Sequence, residues 1–303
     1  MNARTTESQL QDCPFLLGDE AEYVRWRDAK LASLPSSIAD LQLDLADPKH
    51  LTAAEKESAI TLINAHNFLI YKSTSVEEDK EIPRQLGKQL GLVDLDPNML
   101  ADDDGITSLS VVDGKSLRGY IPYSDKRLSW HTDGYYNAPD KQIRAFVLHC
   151  VRPATEGGES CVLDPELLYI QLREQNPAYI EALMQPQAMT IPANIESGEE
   201  TRPAQTGPVF ALEPETNRLH MRYTARTRSI EWAQDSVTQA AVKAMAELLT
   251  DENPYVWRFR LSAGEGVLCN NVLHSRSSFN QGNELNSQRL LYRARYYQRV
   301  TTR

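Results

Sequence analysis

Two histidines and one aspartate in this sequence have the residue types and the spacing of a metal-binding set. His131 and Asp133 are separated by Thr132, and His274 follows far downstream. Two imidazoles and one carboxylate form the facial triad that binds non-heme Fe(II) and leaves coordination positions open for substrates. A three-letter pattern arises readily by chance, so the weight of this one depends on the residues that accompany it.

An arginine-rich segment follows His274 and predicts a clamp for an anion. Along a strand, side chains alternate between two faces, so Arg289, Arg293 and Arg295 share one face. A guanidinium group binds a carboxylate through two parallel hydrogen bonds. A solvated surface strand would show the same alternation. The position of the segment after His274 favours the anion site.

Four motifs in a fixed order connect these residues. They are residues 130–134, 157–160, 273–276 and 288–293, with the sequences WHTDG, GGES, LHSR and QRLLYR. In order and spacing they resemble the taurine dioxygenase-like family of Fe(II)/2-oxoglutarate-dependent oxygenases. The resemblance covers roughly residues 50–300, and four linked motifs are far more specific than any one of them.

The resemblance implies roles for single residues. His131, Asp133 and His274 would be the iron ligands. Arg289 would bind the distal carboxylate of 2-oxoglutarate. Ser160 stands where the family usually has a threonine hydroxyl that assists, so the hydroxyl is kept and a methyl group is lost. Related halogenases have a small residue in place of the aspartate, and the presence of Asp133 therefore argues against halogenation.

The resemblance also implies a fold and a reaction. The fold would be mainly β with flanking α-helices, as a double-stranded β-helix or jelly-roll barrel with iron near one mouth. The reaction would use Fe(II), 2-oxoglutarate and O2, release succinate and CO2, and hydroxylate a C–H bond of a small anionic or amino-acid-like metabolite. Desaturation and cleavage of a carbon–heteroatom bond use the same machinery. A jelly-roll protein that binds a metal or a metabolite without turnover is the other alternative.

Three residues are candidates for binding the primary substrate. Arg293 lies about 13 Å along the strand from Arg289. It either grips an anionic group of the substrate or supports Arg289, and we favour the substrate role. Tyr135 and Tyr136 directly follow the His131 motif, where they either line the pocket or pack the barrel.

The elements that must position these residues are visible as local patterns. Helices are predicted over residues 19–34, 52–65, 79–90, 165–184 and 236–250. The second begins with Thr52 and Glu55, a capping-box pair in which each side chain bonds the other residue's backbone N–H. From about residue 106 onward, short apolar runs separated by Gly, Pro, Asp and Asn predict the strands of an antiparallel sandwich or barrel.

The remaining patterns concern domain organisation. Residues 193–208 are polar and rich in glycine and proline, and form either a solvated loop or a mobile lid over a pocket. His149 lies in an apolar strand and is predicted to be buried in the core or behind the metal ligands. We predict a single oxygenase domain over residues 1–303, with a helical N-terminal elaboration at 1–65 and a jelly-roll core at 106–300.

Composition narrows the possible partners and the location. A net charge of −10 and a pI of about 5.2 disfavour a nucleic-acid partner, because an acidic surface repels phosphate. No apolar run approaches the length of about 18 residues that a membrane span requires, and no secretory signal is recognised. The four cysteines lack zinc spacing, which predicts reduced thiols and a cytoplasmic protein. The expected partners are a small-molecule substrate and O2, and a homo-oligomer is possible.

Overall fold

The computed structural model describes residues 13–97, 104–111, 123–196, 198–214, 216–226, 230–281 and 288–301. Within these ranges the chain mixes α-helices with many short β-strands. The helices are α1 Glu20–Ala32, α2 Ala53–His66, α3 Glu81–Gln89, α4 Pro165–Gln175, α5 Pro177–Leu183 and α6 Ser236–Leu248. Single 3-10 turns cover Ile38–Leu41 and Pro139–Lys141.

By position in the sequence, the strands form a first group before residue 203 and a second group after it. The first group is β1 Gln42–Asp44, β2 Phe68–Lys72, β3 Ile106–Leu109, β4 Leu128–His131, β5 Ala145–Arg152, β6 Glu156–Gly157, β7 Ser160–Leu163, β8 Met189–Ile191, β9 Asn194–Glu196 and β10 Glu199–Arg202. The second group is β11 Gln205–Gly207, β12 Phe210–Leu212, β13 Leu219–Met221, β14 Glu231–Trp232, β15 Trp257–Phe259, β16 Glu265–Cys269, β17 Leu273–Arg276, β18 Phe279–Asn280 and β19 Leu290–Tyr296.

The chain divides into two compact units. The helical unit comprises Met1–Leu34, Pro165–Arg222 and Arg226–Asn253, and the sheet unit comprises Pro35–Asp164, Tyr223–Ala225 and Pro254–Arg303. All residues of the predicted site belong to the sheet unit. The assignment of residues 1–303 to a single oxygenase domain stays a prediction.

In the helical unit, the single helix predicted over residues 165–184 is wrong. The structure has two helices there, α4 and α5, and the break falls at Asn176 and Pro177. Proline has no backbone N–H, and its ring clashes with the preceding turn, so a helix begins at such a residue more readily than it continues through it. The Asn176 side chain caps the new helix by accepting a hydrogen bond from the Ala178 N–H at 3.0 Å.

The segment over residues 193–208 contains short strands. Strands β9 and β10 form an antiparallel hairpin, and β11 pairs with β8. Gly198 has a φ of +88°, which glycine adopts without steric cost and which suits the turn of the hairpin. The segment thus consists of short paired strands whose described residues are mostly exposed or half-buried, and both the solvated loop and the mobile lid stay predictions.

The sheet unit contains two larger sheets that share an apolar core. The six-stranded sheet has the order β1-β2-β16-β5-β19-β3, and the four-stranded sheet has the order β15-β7-β17-β4. Phe146, Val267 and Leu291 of the first sheet pack with Val162 of the second in one buried cluster. The second sheet carries both histidines of the predicted triad.

The other face of the six-stranded sheet is covered by α2 and α3. Ile63 of α2 and Leu86 of α3 pack with Val147 of β5 and with the even-numbered side chains of β19, from Leu290 to Tyr296. Leu291 instead belongs to the core between the sheets. The alternation predicted for this strand is therefore confirmed, and Arg293 and Arg295 lie on the Leu291 face.

The fold prediction is confirmed in its coarse form, as a strand-rich chain with flanking helices.

None of the helices in the described part of the chain has both the length and the apolar character needed to cross a bilayer. The four cysteines are all buried, and no disulfide bond joins them.

Candidate active site

Two neighbouring antiparallel strands bring the predicted triad together. His131 at the end of β4 lies opposite His274 of β17. Asp133 follows β4 in a turn that continues through Gly134, whose φ is +65°. The potential ligand atoms of the three residues all lie within 4.8 Å of one another. This single strand pair brings together His131 and His274, which are more than a hundred residues apart in the sequence.

Backbone carbonyl groups orient both imidazoles. The Nδ1 atom of His131 lies 2.9 Å from the Ser129 carbonyl oxygen, and that of His274 lies 2.9 Å from the Val272 carbonyl oxygen. Because a carbonyl oxygen only accepts, each Nδ1 carries the hydrogen and each Nε2 keeps its lone pair for a metal. Burial, followed by the His274 imidazole, lowers the pKa of His131 to about 3, and burial also lowers the pKa of His274. Both rings are therefore neutral at physiological pH, as coordination requires.

The Asp133 carboxylate is ionised and incompletely bonded. Burial alone would raise its pKa, but the charges of Arg293 and Arg295, with the two imidazoles, outweigh burial and lower the pKa. Its Oδ1 atom accepts a hydrogen bond from Arg293 Nη1 at 3.0 Å. Its Oδ2 atom is buried, and the described residues offer it no hydrogen-bond partner. An unsatisfied buried oxygen is costly, and a divalent cation beside two imidazole lone pairs would satisfy it.

Asn271 fixes the backbone of Asp133 and was not singled out from the sequence. Its side-chain oxygen accepts from the Asp133 N–H at 2.8 Å, and its amide nitrogen donates to the Asp133 carbonyl at 3.0 Å. The same nitrogen donates to the Ile143 carbonyl at 2.7 Å. Asn271 has a φ of +50°, a conformation that asparagine tolerates better than most residues. The only sequence signal was a polar pair in the turn ahead of His274.

The predicted co-substrate residues line one pocket. Arg289 and Ser160 face it together with Gly157 and Gly158, and Arg260 also lines it. The sequence did not indicate Arg260, because that residue follows strand β15 and lies outside the four motifs. The motif over residues 157–160 thus supplies one wall of the pocket, and the arginine strand supplies another.

Arg289 is a buried cation without an acidic partner. Its guanidinium carbon lies 4.9 Å from the centroid of the Phe279 ring, and burial lowers its pKa to about 10. It forms no ion pair with any residue that the structure describes. A guanidinium group removed from water needs an anion to offset its desolvation, so this pocket is suited to a carboxylate.

Steric constraints explain the two glycines of the motif over residues 157–160. A Cβ atom on Gly157 would lie 2.3 Å from the Ser278 carbonyl oxygen, because β6 and β18 approach closely there. Both Gly157 and Gly158 have positive φ, at +68° and +72°. A side chain at either position would therefore disturb the backbone beside Arg289.

The three candidate substrate residues already have partners within the protein. Arg293 donates to Asp133 Oδ1. The Tyr136 hydroxyl accepts from Arg295 Nη1 at 3.1 Å, and the Tyr135 ring packs edge-on against Tyr136 at 5.1 Å. The substrate roles of Arg293, Tyr135 and Tyr136 stay predictions.

Comparison with known proteins places the chain among oxygenases. Residues 30–295 match the family described as "Taurine catabolism dioxygenase TauD, TfdA family". A uridine-5'-phosphate dioxygenase from an Amycolatopsis species is 27% identical over 172 residues, which is 55% of this chain. The chain spans about 60% of the length of that curated relative.

Two solved structures share the fold at low sequence identity. Asparagine oxygenase in complex with Fe(II), 3-hydroxyasparagine and succinate superposes with a TM-score of 0.53 and 15% identity, covering 90% of this chain and 89% of the other. The non-heme iron oxygenase OrfP in complex with Fe superposes with a TM-score of 0.59 and 16% identity, covering 92% of each chain.

Proposed function

This chain belongs to the TauD/TfdA family of dioxygenases, and we propose that it hydroxylates a C–H bond of a small anionic or amino-acid-like metabolite. Dioxygenases of this family use Fe(II) and 2-oxoglutarate. The reaction would consume 2-oxoglutarate and O2 and release succinate and CO2. The observation that carries the proposal is the triad of two neutral imidazoles and one ionised carboxylate, whose ligand atoms lie within 4.8 Å of one another.

The proposal gives each residue of the site a task. His131 and His274 through Nε2, and Asp133 through its carboxylate, would hold the iron. With its co-substrate the metal supplies the activation of O2. Arg289, assisted by the Ser160 hydroxyl, would bind the distal carboxylate of 2-oxoglutarate and fix its orientation in the pocket. Backbone contacts from Asn271 would keep Asp133 in place during turnover.

The fold that we propose for this activity is the jelly-roll barrel. Two sheets that face each other across one apolar core support it, because a double-stranded β-helix is built from two such sheets. Both histidines of the triad then lie on the four-stranded sheet, and the burial of His131 and Asp133 would limit the access of bulk water to the metal. Low solvent access protects a reactive site from side reactions.

The proposed substrate class has support from charge and from relatives. Arg293 bonds Asp133 through Nη1, but its buried Nε has no hydrogen-bond partner among the described residues, which favours an acceptor group on the substrate. One relative is a uridine-5'-phosphate dioxygenase, and a neighbouring structure is an asparagine oxygenase with 3-hydroxyasparagine. Small anionic or amino-acid-like molecules are therefore the first class to test. The four buried thiols support a reducing, cytoplasmic location.

The test begins with the metal and the co-substrate. Anaerobic addition of Fe(II) and then 2-oxoglutarate is expected to give a weak visible charge-transfer band in the wild type and none in His131→Ala. His50→Ala is the matched control, because His50 is an exposed histidine beside Asp47, outside the triad. A band of equal strength in His131→Ala, or no band in the wild type, would contradict the proposal.

The second stage addresses turnover and the substrate. Amino acids, nucleotides and small carboxylates are screened for succinate formation above the background measured without substrate. A substrate that raises succinate and gains one oxygen atom in mass supports hydroxylation. Loss of two hydrogens would instead indicate desaturation. Metal and 2-oxoglutarate binding with no succinate from any candidate would favour the binding protein without turnover.

A further inference from the structure

Asp96 is a buried carboxylate outside all four motifs, and it lies beside the last arginine of β19. The Asp96 N–H donates to the Arg295 carbonyl at 2.9 Å, and the Tyr297 N–H donates to the Asp94 carbonyl at 3.1 Å. Leu95 forms an antiparallel bridge with Tyr296. The segment over residues 94–96 therefore runs antiparallel to the end of β19 and brings the Asp96 side chain to that of Arg295.

The two side chains form the centre of a bonded network. Arg295 Nη2 bonds Asp96 Oδ2, and Arg295 Nη1 donates to the Tyr136 hydroxyl at 3.1 Å. The Tyr297 hydroxyl donates to Asp96 Oδ1 at 2.7 Å. Asp96 is 6% exposed and Arg295 is 2% exposed. Because water cannot replace a lost partner here, removal of either charge would leave the other uncompensated.

A second arginine on the same face of β19 already bonds the metal-binding carboxylate. Arg293 donates to Asp133 Oδ1 at 3.0 Å, and Arg295 lies two residues further along the strand, on the same side. Two guanidinium groups thus lie close to one carboxylate that must remain available to a metal.

Charge balance explains what Asp96 does in this arrangement. With Asp96 present, two carboxylates balance two guanidinium groups around the triad. Without it, Arg295 would lose its ion pair and leave an uncompensated positive charge on the strand face that also carries Arg293, the partner of Asp133. A second guanidinium on Asp133, or merely one excess positive charge nearby, would oppose the binding of a divalent cation.

We propose that Asp96 is a positioning residue of the metal centre. It holds Arg295, together with the Tyr136 and Tyr297 hydroxyls, and so leaves Asp133 available to a divalent cation. Asp96 bonds Arg295 and Tyr297 and acts on the metal only through Arg295. The inference rests on the proposed function, since it takes the triad to be the metal site.

Metal affinity of the full-length protein tests this inference without reference to turnover. Co(II) alone is titrated into wild type, Asp96→Asn and the double variant Asp96→Asn/Arg295→Met. Asp96→Asn is expected to raise the Kd for Co(II) by about tenfold or more, as loss of a supporting partner of a metal ligand does. The double variant removes both charges, so its Kd is expected within about threefold of wild type.

The near-wild-type Kd expected of the double variant separates a positioning role of Asp96 from general structural damage. A Kd in Asp96→Asn equal to wild type, or a double variant as weak as Asp96→Asn, would overturn the inference. Asp94→Asn is the matched control, because Asp94 is an exposed aspartate two residues away that bonds Gln298. Its Kd is expected to equal that of wild type.

Two further variants cover the remaining outcomes. If Asp96→Asn does not fold, Tyr136→Phe decides, because it removes one partner of Arg295 without changing charge. Its Kd is expected to rise by about threefold, and an unchanged value would overturn the inference. His131→Ala sets the background for binding outside the triad. A wild type that binds Co(II) no better than His131→Ala would contradict the proposed function itself.

Discussion

Arg289 is the residue that we propose contacts the co-substrate most directly. Its guanidinium is buried against the Phe279 ring, and no carboxylate of the described residues pairs with it. Arg276 lies over the same ring, with its guanidinium carbon 4.7 Å from the centroid. Two cations sharing one aromatic ring repel each other, and an incoming carboxylate would relieve that repulsion.

Substitution of Arg289 should therefore act on co-substrate binding before anything else. Arg289→Met is expected to raise the Kd for 2-oxoglutarate by about 100-fold, or about 2.7 kcal/mol, because a charged hydrogen-bonding partner is lost in a buried pocket. The Kd of Arg289→Lys should fall between those of wild type and Arg289→Met, since lysine keeps the charge and loses the planar guanidinium. The measurement is titration of the Fe(II)-loaded protein with 2-oxoglutarate under anaerobic conditions.

Arg25→Met provides the control for that series. It makes the same chemical change at an arginine that is 72% exposed on helix α1. Its 2-oxoglutarate affinity should equal that of wild type. If Arg289→Met also kept wild-type affinity, the co-substrate would have to bind elsewhere, and Arg260 and Arg276 would be the next arginines to substitute.

At the residue scale, the sequence indicated the three residues of the triad, which the structure brings together, but not the polar residues around them. His131, Asp133 and His274 stand in recognisable motifs, and their types alone indicate a metal. Asn271 and Asp96 act through contacts that exist only after distant strands pair, so neither has a local signal. Nor did the sequence indicate that Arg293 would bond Asp133, because that contact depends on the depth of the side chain between the sheets.

At the scale of elements, helix α2 was predicted correctly from its capping residues. Thr52 Oγ1 accepts from the Glu55 N–H at 3.2 Å, and the Glu55 carboxylate accepts from the Thr52 N–H at 2.7 Å. At the other end, Asn67 adopts a left-handed conformation with a φ of +61° and ends the helix. The Ala46 N–H also donates to Glu55, which fixes the chain that leads from β1 into the helix.

Removal of this cap should have a small and separable effect. Thr52→Ala is expected to lower the free energy of unfolding by about 1 kcal/mol, because one backbone N–H loses its partner at the helix start. Chemical denaturation measures this difference. Ser58→Ala, which removes a hydroxyl from an exposed position inside the same helix, should change the free energy by less than about 0.5 kcal/mol. Equal losses in both variants would show that the cap contributes nothing specific.

Elements with weak local signals could not be predicted so well. The boundary between α4 and α5 depends on one proline, and the hydrophobic pattern continues across it. Strands β9 to β11 consist mostly of polar residues, so their pairing and not their side-chain pattern defines them. Strand β1 pairs with β2 inside a region whose sequence indicated mainly helices. In the strands a pairing interaction outweighs the local pattern, and between α4 and α5 the missing backbone N–H of Pro177 outweighs the continuing hydrophobic pattern.

For the whole molecule, the order of four motifs proved more informative than composition. The family identified from residues 130–134, 157–160, 273–276 and 288–293 is confirmed by a match over residues 30–295. Net charge disfavours a nucleic-acid partner and cysteine spacing disfavours a zinc site, but neither could indicate a reaction. The reason is physical, since a reaction depends on a few groups in fixed geometry, whereas composition averages over the whole surface.

His149 links the stability of the whole molecule to pH. It lies on β5 within the covered face of the six-stranded sheet, fully buried, and its Nδ1 atom is 2.9 Å from the Tyr71 hydroxyl. Burial lowers its pKa to about 4. The native protein therefore keeps this imidazole neutral at pH values where an exposed histidine takes up a proton.

The sign of the effect follows from proton uptake in the two states. Between about pH 6.5 and pH 4, the unfolded chain binds a proton at His149 and the native protein does not, so the free energy of unfolding falls as the pH falls. Over the whole window the loss from this residue is expected to reach about 3 kcal/mol. Urea denaturation across the window should show a shallower pH dependence in His149→Gln than in wild type. His50→Gln, which replaces an exposed histidine, is the matched control for the substitution itself. Equal slopes in His149→Gln and wild type would mean that the buried imidazole is protonated in the native protein.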